Sequence, residues 1–209
     1  MNTVNVSKQM DNMIKVNKEQ GIVPTLLLQS CCAPCSSYVL EYLGESFKIY
    51  DYFYNPNITD AEEYYLRKEE MRRFIETFPP AKNVTFLEVP YDPEKYLDMV
   101  RGYEKCKEGG ERCRICFALR LEECARKAKE LGCDYFTTTL TISPLKNAEL
   151  INQIGNMLGQ KYGVSYLPSD FKKKNGYKRS VELSSEYELY RQNYCGCEFS
   201  KGEAYGKEV

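Results

Sequence analysis

Pro24-Thr-Leu-Leu-Leu-Gln29 runs directly into Ser30-Cys-Cys-Ala-Pro-Cys35, and residues 36–43 follow before Gly44. The first segment is short and apolar, the pattern of a strand buried on both faces of a parallel sheet. Residues 36–43 read as a helix that stops at Gly44. Strand, loop, helix is how α/β folds present chemistry at the carboxyl edge of a sheet.

The same unit recurs downstream. Residues 47–54 alternate as a second strand, Asn55-Pro-Asn57 is a turn and 60–78 a long helix. Residues 83–90 give a third strand, 94–110 a helix and a loop rich in Lys, Glu and Gly, and 111–131 another helix. Residues 134–140 form a fourth strand, followed by Thr141-Ile-Ser-Pro144 and a helix through 162. Upstream, 7–20 is a polar amphipathic helix with Met10, Met13, Ile14 and Val16 on its apolar side. Alternating βα units predict a doubly wound, Rossmann-like α/β fold, a mostly parallel sheet with helices on both faces. Residues 1–164 are assigned to it. Residues 165–209 differ, with a basic run Phe171-Lys-Lys-Lys-Asn-Gly-Tyr-Lys-Arg179, a tyrosine-rich helix over 184–193 and Tyr194-Cys-Gly-Cys197. They are read as a C-terminal helical and loop extension packed on the same domain.

The chain has 209 residues, enough for one domain with a real core. Its net charge of −1 excludes a globally basic nucleic-acid binder, so any basic surface is local. No apolar run reaches the roughly 18 residues of a membrane span, and the polar amino terminus lacks the apolar core of a secretory signal. A cytoplasmic protein without membrane contact is expected. There, ten cysteines point to metal or redox chemistry rather than structural disulfides. Histidine is absent, which excludes Cys–His dyads, Ser-His-Asp arrangements and mixed His/Cys zinc sites.

Cys113-Arg-Ile-Cys116 is a C-x-x-C at a helix start, where the helix dipole favours thiolates and the spacing lets two sulfurs face one metal centre. Alone it fits zinc, a cluster or thioredoxin-like redox use, or two core cysteines. Cys31, Cys32 and Cys35 offer three more thiols directly after a buried strand, more than packing explains. The two sets together can supply four sulfurs to structural zinc or to [4Fe–4S], and the vicinal pair tilts the reading towards a cluster. Cys195-Gly-Cys197 resembles a redox dithiol more than a ligand pair. Cys124 and Cys133 read as small core residues, and Cys106 stays open.

These motifs in combination resemble one family, the cobalamin-independent epoxyqueuosine reductases known as QueH. The resemblance rests on Leu28-Gln-Ser-Cys-Cys-Ala-Pro-Cys35, Glu111-Arg-Cys-Arg-Ile-Cys-Phe117 with Arg120-Leu121, and Thr138-Thr-Leu-Thr-Ile-Ser-Pro-Leu-Lys146. Asp170-Phe-Lys-Lys173, Gly176-Tyr-Lys-Arg-Ser180 and Tyr190-Arg-Gln-Asn-Tyr-Cys-Gly-Cys197 complete it. It implies a Rossmann-like sheet of the HUP or PP-loop kind and an enzyme that converts epoxyqueuosine to queuosine at the wobble position of tRNA. It further implies a [4Fe–4S] cluster held by Cys31, Cys32, Cys113 and Cys116, and a redox-active disulfide between Cys195 and Cys197. An additional iron is compatible with it, with Cys35, Cys106 or Asp92 as candidate ligands.

Epoxide removal takes two electrons and two protons and releases water. No strand is followed by G-x-G-x-x-G, so no flavin or nicotinamide signature is visible, and electrons are expected from a donor protein or a thiol reductant. The basic run at 172–179, interleaved with Phe171 and Tyr177, is the expected RNA surface, although a solvated loop has the same composition. Two rival classes remain at this level. One is a PP-loop-like, cluster-dependent tRNA thiolase, against which the SCCAPCS loop stands in place of SGGxDS. The other is a non-catalytic zinc module that docks RNA, which colour distinguishes from a brown cluster protein.

Overall fold

The computed structural model describes residues 5–205. Five strands, all parallel, form one sheet in the order β3-β2-β1-β4-β5 among the described residues. They are β1 (Thr25–Gln29), β2 (Lys48–Tyr52), β3 (Val84–Leu87), β4 (Tyr135–Thr138) and β5 (Ser165–Tyr166). The chain order reverses between β1 and β4. Crossovers before that point lie on one face and those after it on the other, so the carboxyl ends of β1 and β4 flank a natural crevice.

β1 is central, which is why it is apolar throughout. Leu26 and Leu28 face one side, where α2 (Ala33–Leu43), α3 (Ala61–Thr77), α1 (Val6–Glu19) and α7 (Gly176–Glu186) cover them. Leu27 faces the other, against α5 (Glu111–Glu130) and α6 (Ala148–Tyr162), with α4 (Glu94–Met99) and α8 (Glu198–Tyr205) beside them. The expected helices on both faces are present. Cys124 and Cys133 are buried in this second core, as their sequence context suggests. None of the described helices is long and apolar enough to cross a membrane.

The structure departs from the sequence reading in three places. The fourth strand stops at Thr138, whose hydroxyl accepts the Leu140 N–H and turns the chain into a 3-10 helix, Thr139–Ile142. A fifth strand of two residues, Ser165–Tyr166, is too short to carry a periodic signal. The helix expected over 184–193 instead begins in the basic run at Gly176 and ends at Glu186. Glu188 then takes a positive φ of 51° and Leu189 N–H returns to the Ser184 carbonyl, closing the helix end.

Beneath the crevice, Asp51 of β2 is fully buried. Its Oδ1 accepts the Ser30 hydroxyl at 2.8 Å, while Oδ2 has no hydrogen-bond partner. Burial pushes the carboxyl up to about 7 from an ordinary 3.8. Between those values the folded protein holds a proton that the unfolded chain has released, so stability falls as pH rises through the window. Asp51→Asn should remove a pH-dependent loss on the order of a few kcal/mol. Urea midpoints at about pH 5 and about pH 8 check this: wild type should be weaker at the higher pH, and the variant should not.

Candidate thiol site at the sheet switch point

β1 delivers Ser30 and Cys31 to the crevice, and Cys32 is the residue that caps α2. Pro34 in the first helical turn lacks an N–H that would be unpaired there anyway. The turn folds the three sulfurs inward: Cys31 and Cys32 Sγ are 3.8 Å apart, and the sulfurs of Cys31, Cys32 and Cys35 all lie within 4.8 Å of one another. That group is close enough to hold a metal ion. The 3-10 turn after β4 completes the wall, since Thr139 Oγ1 accepts the Cys31 N–H at 3.2 Å and lies 3.4 Å from its sulfur.

The three thiols share their protons unequally. Hydrogen bonds from Cys32 and Cys35 hold the Cys31 thiol well below its ordinary range, against the effect of burial and with help from Arg120. The same contact with Cys31 pushes Cys32 up to about 12 and raises Cys35.

Cys113 and Cys116 sit on the first turns of α5, and Arg120 follows Cys116 by about one more turn of the same face. Gly109 N–H donates to Cys113 Sγ at 3.2 Å. The helix start does not make these thiols acidic. Burial raises Cys113 and pushes Cys116 up to about 12, outweighing the cationic neighbours Arg112 and Arg120.

Two adjoining cavities bring the sets together. A cleft of about 300 Å³ is lined by Cys31, Cys35, Arg120, Lys146, Arg191 and Cys195, among others. A second, of about 20 Å³, is lined by Cys113, Cys116, Cys195, Cys197, Lys146 and Tyr96, among others. Cys195 and Lys146 belong to both. Cys32, buried beneath Cys31, lines neither, and Cys113 and Cys116 lie outside the tight group of Cys31, Cys32 and Cys35. Neither Cys106 nor Asp92 is among the described residues lining the two cavities.

Cys195 and Cys197 are separate thiols in the structure, in a strap held by its neighbours. Gly196 takes φ +122°, and a Cβ there would come within 2.9 Å of Ile58 and 3.2 Å of Arg67. Arg67 Nη1 donates to the Cys195 carbonyl at 3.3 Å, and Cys195 N–H donates to Ser200 Oγ at 3.0 Å. Burial raises the Cys197 thiol, with the Cys195 sulfur adding to the shift and hydrogen bonds from Ser200 N–H and Tyr96 opposing it.

Sequence reading missed the buried cations. Arg67, Arg112 and Arg120 are each about 1% exposed. Arg112 binds the Glu104 and Cys106 carbonyls and pairs with Glu203 of α8, fastening the loop before α5 to the chain's last helix. Arg120 Nη2 donates to Asn55 Oδ1 at 2.6 Å, while its buried Nε has no partner. Burial works against the charge of Arg120 and Lys146, and the cysteine sulfurs around them offset that cost. The one sequence signal is the position of Arg120, a helical turn beyond Cys116.

The basic run behaves differently from its composition. Lys172 and Lys173 pair with Asp170, Lys174 with Asp11, Lys178 with Glu182 and Arg179 with Glu41.

Fold and site define a class: a Rossmann-like α/β protein that gathers thiols and buried cations at the switch point of its sheet. The sequence model of the family described as "Epoxyqueuosine reductase QueH" matches residues 26–203. A protein of that name from Streptococcus pyogenes serotype M1 is 47% identical over 199 residues, covering 94% of this chain and 78% of the relative. One from Staphylococcus aureus strain Mu50 is 45% identical over 201 residues, covering 94% and 84%. One from Thermotoga maritima is 38% identical over 180 residues, covering 84% and 90%. The chain belongs to the epoxyqueuosine reductase QueH family and is an oxidoreductase.

Proposed function

We propose that this chain reduces epoxyqueuosine to queuosine at the wobble position of tRNA, using a [4Fe–4S] cluster and a cysteine pair. The observation that carries the reading is that cysteines from three separate stretches meet at two adjoining cavities, in a chain of this family.

The residues present fit the cluster. The donors are all thiols, the usual ligands of a [4Fe–4S] cluster. Arg120 Nε is a buried donor without a partner, beside sulfurs that an anionic group would join. Cys31, Cys32, Cys113 and Cys116 are the proposed ligands. When bound, the cluster would supply electrons one at a time. The tight grouping of Cys31, Cys32 and Cys35 also suits a single metal ion, which keeps Cys35 as a ligand of an additional iron.

The chain's own residues account for the redox balance. Oxidation of the Cys195 and Cys197 thiols to a disulfide releases two electrons and two protons. Opening the epoxide to an alkene consumes both and releases its oxygen as water. A thiol reductant or a donor protein then restores the dithiol. Arg120 and Lys146 hold positive charge against the sulfurs, and Tyr96 holds the Cys197 sulfur by hydrogen bond.

The test is direct. Anaerobically purified protein, supplied with a reductant and an anticodon stem-loop carrying epoxyqueuosine, should yield RNA lighter by one oxygen. Iron and acid-labile sulfide should be present, with an EPR signal on reduction. A colourless zinc protein that leaves the RNA unchanged would sink the proposal.

A further inference from the structure

This inference rests on the proposed function and concerns how the RNA is held. The cleft's volume of about 300 Å³ is at the low end of the roughly 300–1,000 Å³ of small-ligand sites. One nucleoside turned out of its strand would occupy it, and its neighbours would stay outside. Extruding a nucleotide unstacks the bases beside it, and enzymes that act on single-stranded or extruded bases replace that stacking with side-chain planes. Those planes have to stand where the cleft opens to solvent.

Tyr177 and Arg191 stand there. Tyr177 lines the cleft yet remains 41% exposed, and it belongs to neither core. The Arg191 guanidinium, also in the lining, lies over its ring with Cζ 5.9 Å from the centroid. Arg191 is fixed in turn by Ser184 Oγ at 3.0 Å. The backbone under Tyr177 is equally constrained. A Cβ on the preceding Gly176 would lie 2.0 Å from the Phe171 carbonyl oxygen and 2.4 Å from the Tyr38 ring, so only glycine lets α7 start so close to them. The result is a half-exposed aromatic ring on a fixed helix start, with a cation against it, in the lining of a cleft that also holds Arg120 and Lys146.

The geometry points to Tyr177, with Arg191 against its ring, as the stacking platform for an RNA base that flanks the nucleotide held in the cleft. Stacking on such planes is tolerant of base identity, because every base has a π-face. The platform would therefore hold the strand's register without reading its sequence.

The test measures binding of an epoxyqueuosine-containing anticodon stem-loop by fluorescence anisotropy, and turnover with the same RNA. Tyr177→Ala should weaken binding and raise KM by about 5- to 150-fold, the range of one base–aromatic stack, with kcat at saturating RNA little changed. Tyr177→Phe should restore both, since the ring and not the hydroxyl is used. Stem-loops made abasic on either side of the wobble nucleotide complete a double-mutant cycle. One of them should bind wild type and Tyr177→Ala equally. Undiminished binding by Tyr177→Ala, a Tyr177→Phe variant as weak as it, or a penalty that persists with both abasic RNAs would each overturn the platform. In each of those cases wild type still reduces the RNA. A wild type that neither binds nor reduces it would instead remove the proposed function, and the platform with it.

Discussion

A Cys195→Ser, Cys197→Ser double variant should retain its iron and its cluster spectrum while multiple-turnover reduction falls by roughly 10²- to 10⁴-fold, the scale for a group acting in the chemistry. The expectation follows from geometry and from electron counting. Two extended residues span about 7 Å, so a turn at the intervening glycine brings the two Cα atoms into the roughly 4.4–6.8 Å window of a disulfide. Gly196 already holds a positive φ, a conformation with little penalty for glycine. Cys195 lines both cavities and Cys197 the smaller one, which places the dithiol beside the other thiols. A strained small-ring disulfide is the readily reduced kind. The measurement is product per enzyme over many turnovers, set against iron content. Wild-type turnover by the double variant would make the strap structural and end the relay.

The second large effect is loss of metal. Cys116→Ser should bind iron more weakly by well over the roughly 10–100-fold that even an outer-shell change costs, and activity should go with it. Cys116 is buried, shares the small cavity with Cys113 and sits beside Arg120. Cys124→Ser is the control on the same helix. It is fully buried, its sulfur lies 3.9 and 3.8 Å from the Leu27 and Thr137 carbonyls, and it lines neither cavity. A serine there should keep the iron. Full iron and sulfide in Cys116→Ser, measured anaerobically, would remove Cys116 from the proposed ligand set.

Much of this was legible in the sequence because β1, β2 and β4 carry strong local signals and the cysteines follow directly on strand or helix starts. The edges were less so. β5 is two residues long, and the start of α7 is set by the packing of Gly176 on Phe171 and Tyr38, a tertiary contact that overrides the tyrosine pattern downstream. The arginines were hidden for a related reason. In sequence, Arg67, Arg112 and Arg120 look like surface cations on polar helices, and only the folded chain brings them the carbonyls, the Asn55 amide and the sulfurs that permit burial. The pairing of the basic run was equally hidden: Lys174 meets Asp11 and Arg179 meets Glu41, partners far away along the chain. Of that run Tyr177 reaches the cleft, where Arg120, Lys146 and Arg191 join it from other parts of the chain.

The strap that carries Cys195 is also the least regular wall of the cleft. Residues 187–197 form no helix or strand, and the segment is held by bonds to side chains, among them Arg67 and Ser200 at Cys195, Glu70 at the Tyr190 N–H and Ser184 at Arg191, rather than by a hydrogen-bonded ladder. Segments without a ladder can open locally, at a free-energy cost below that of unfolding the domain. Opening of the strap alone would uncover Cys195 and Cys197 while the two cores around β1 stay folded.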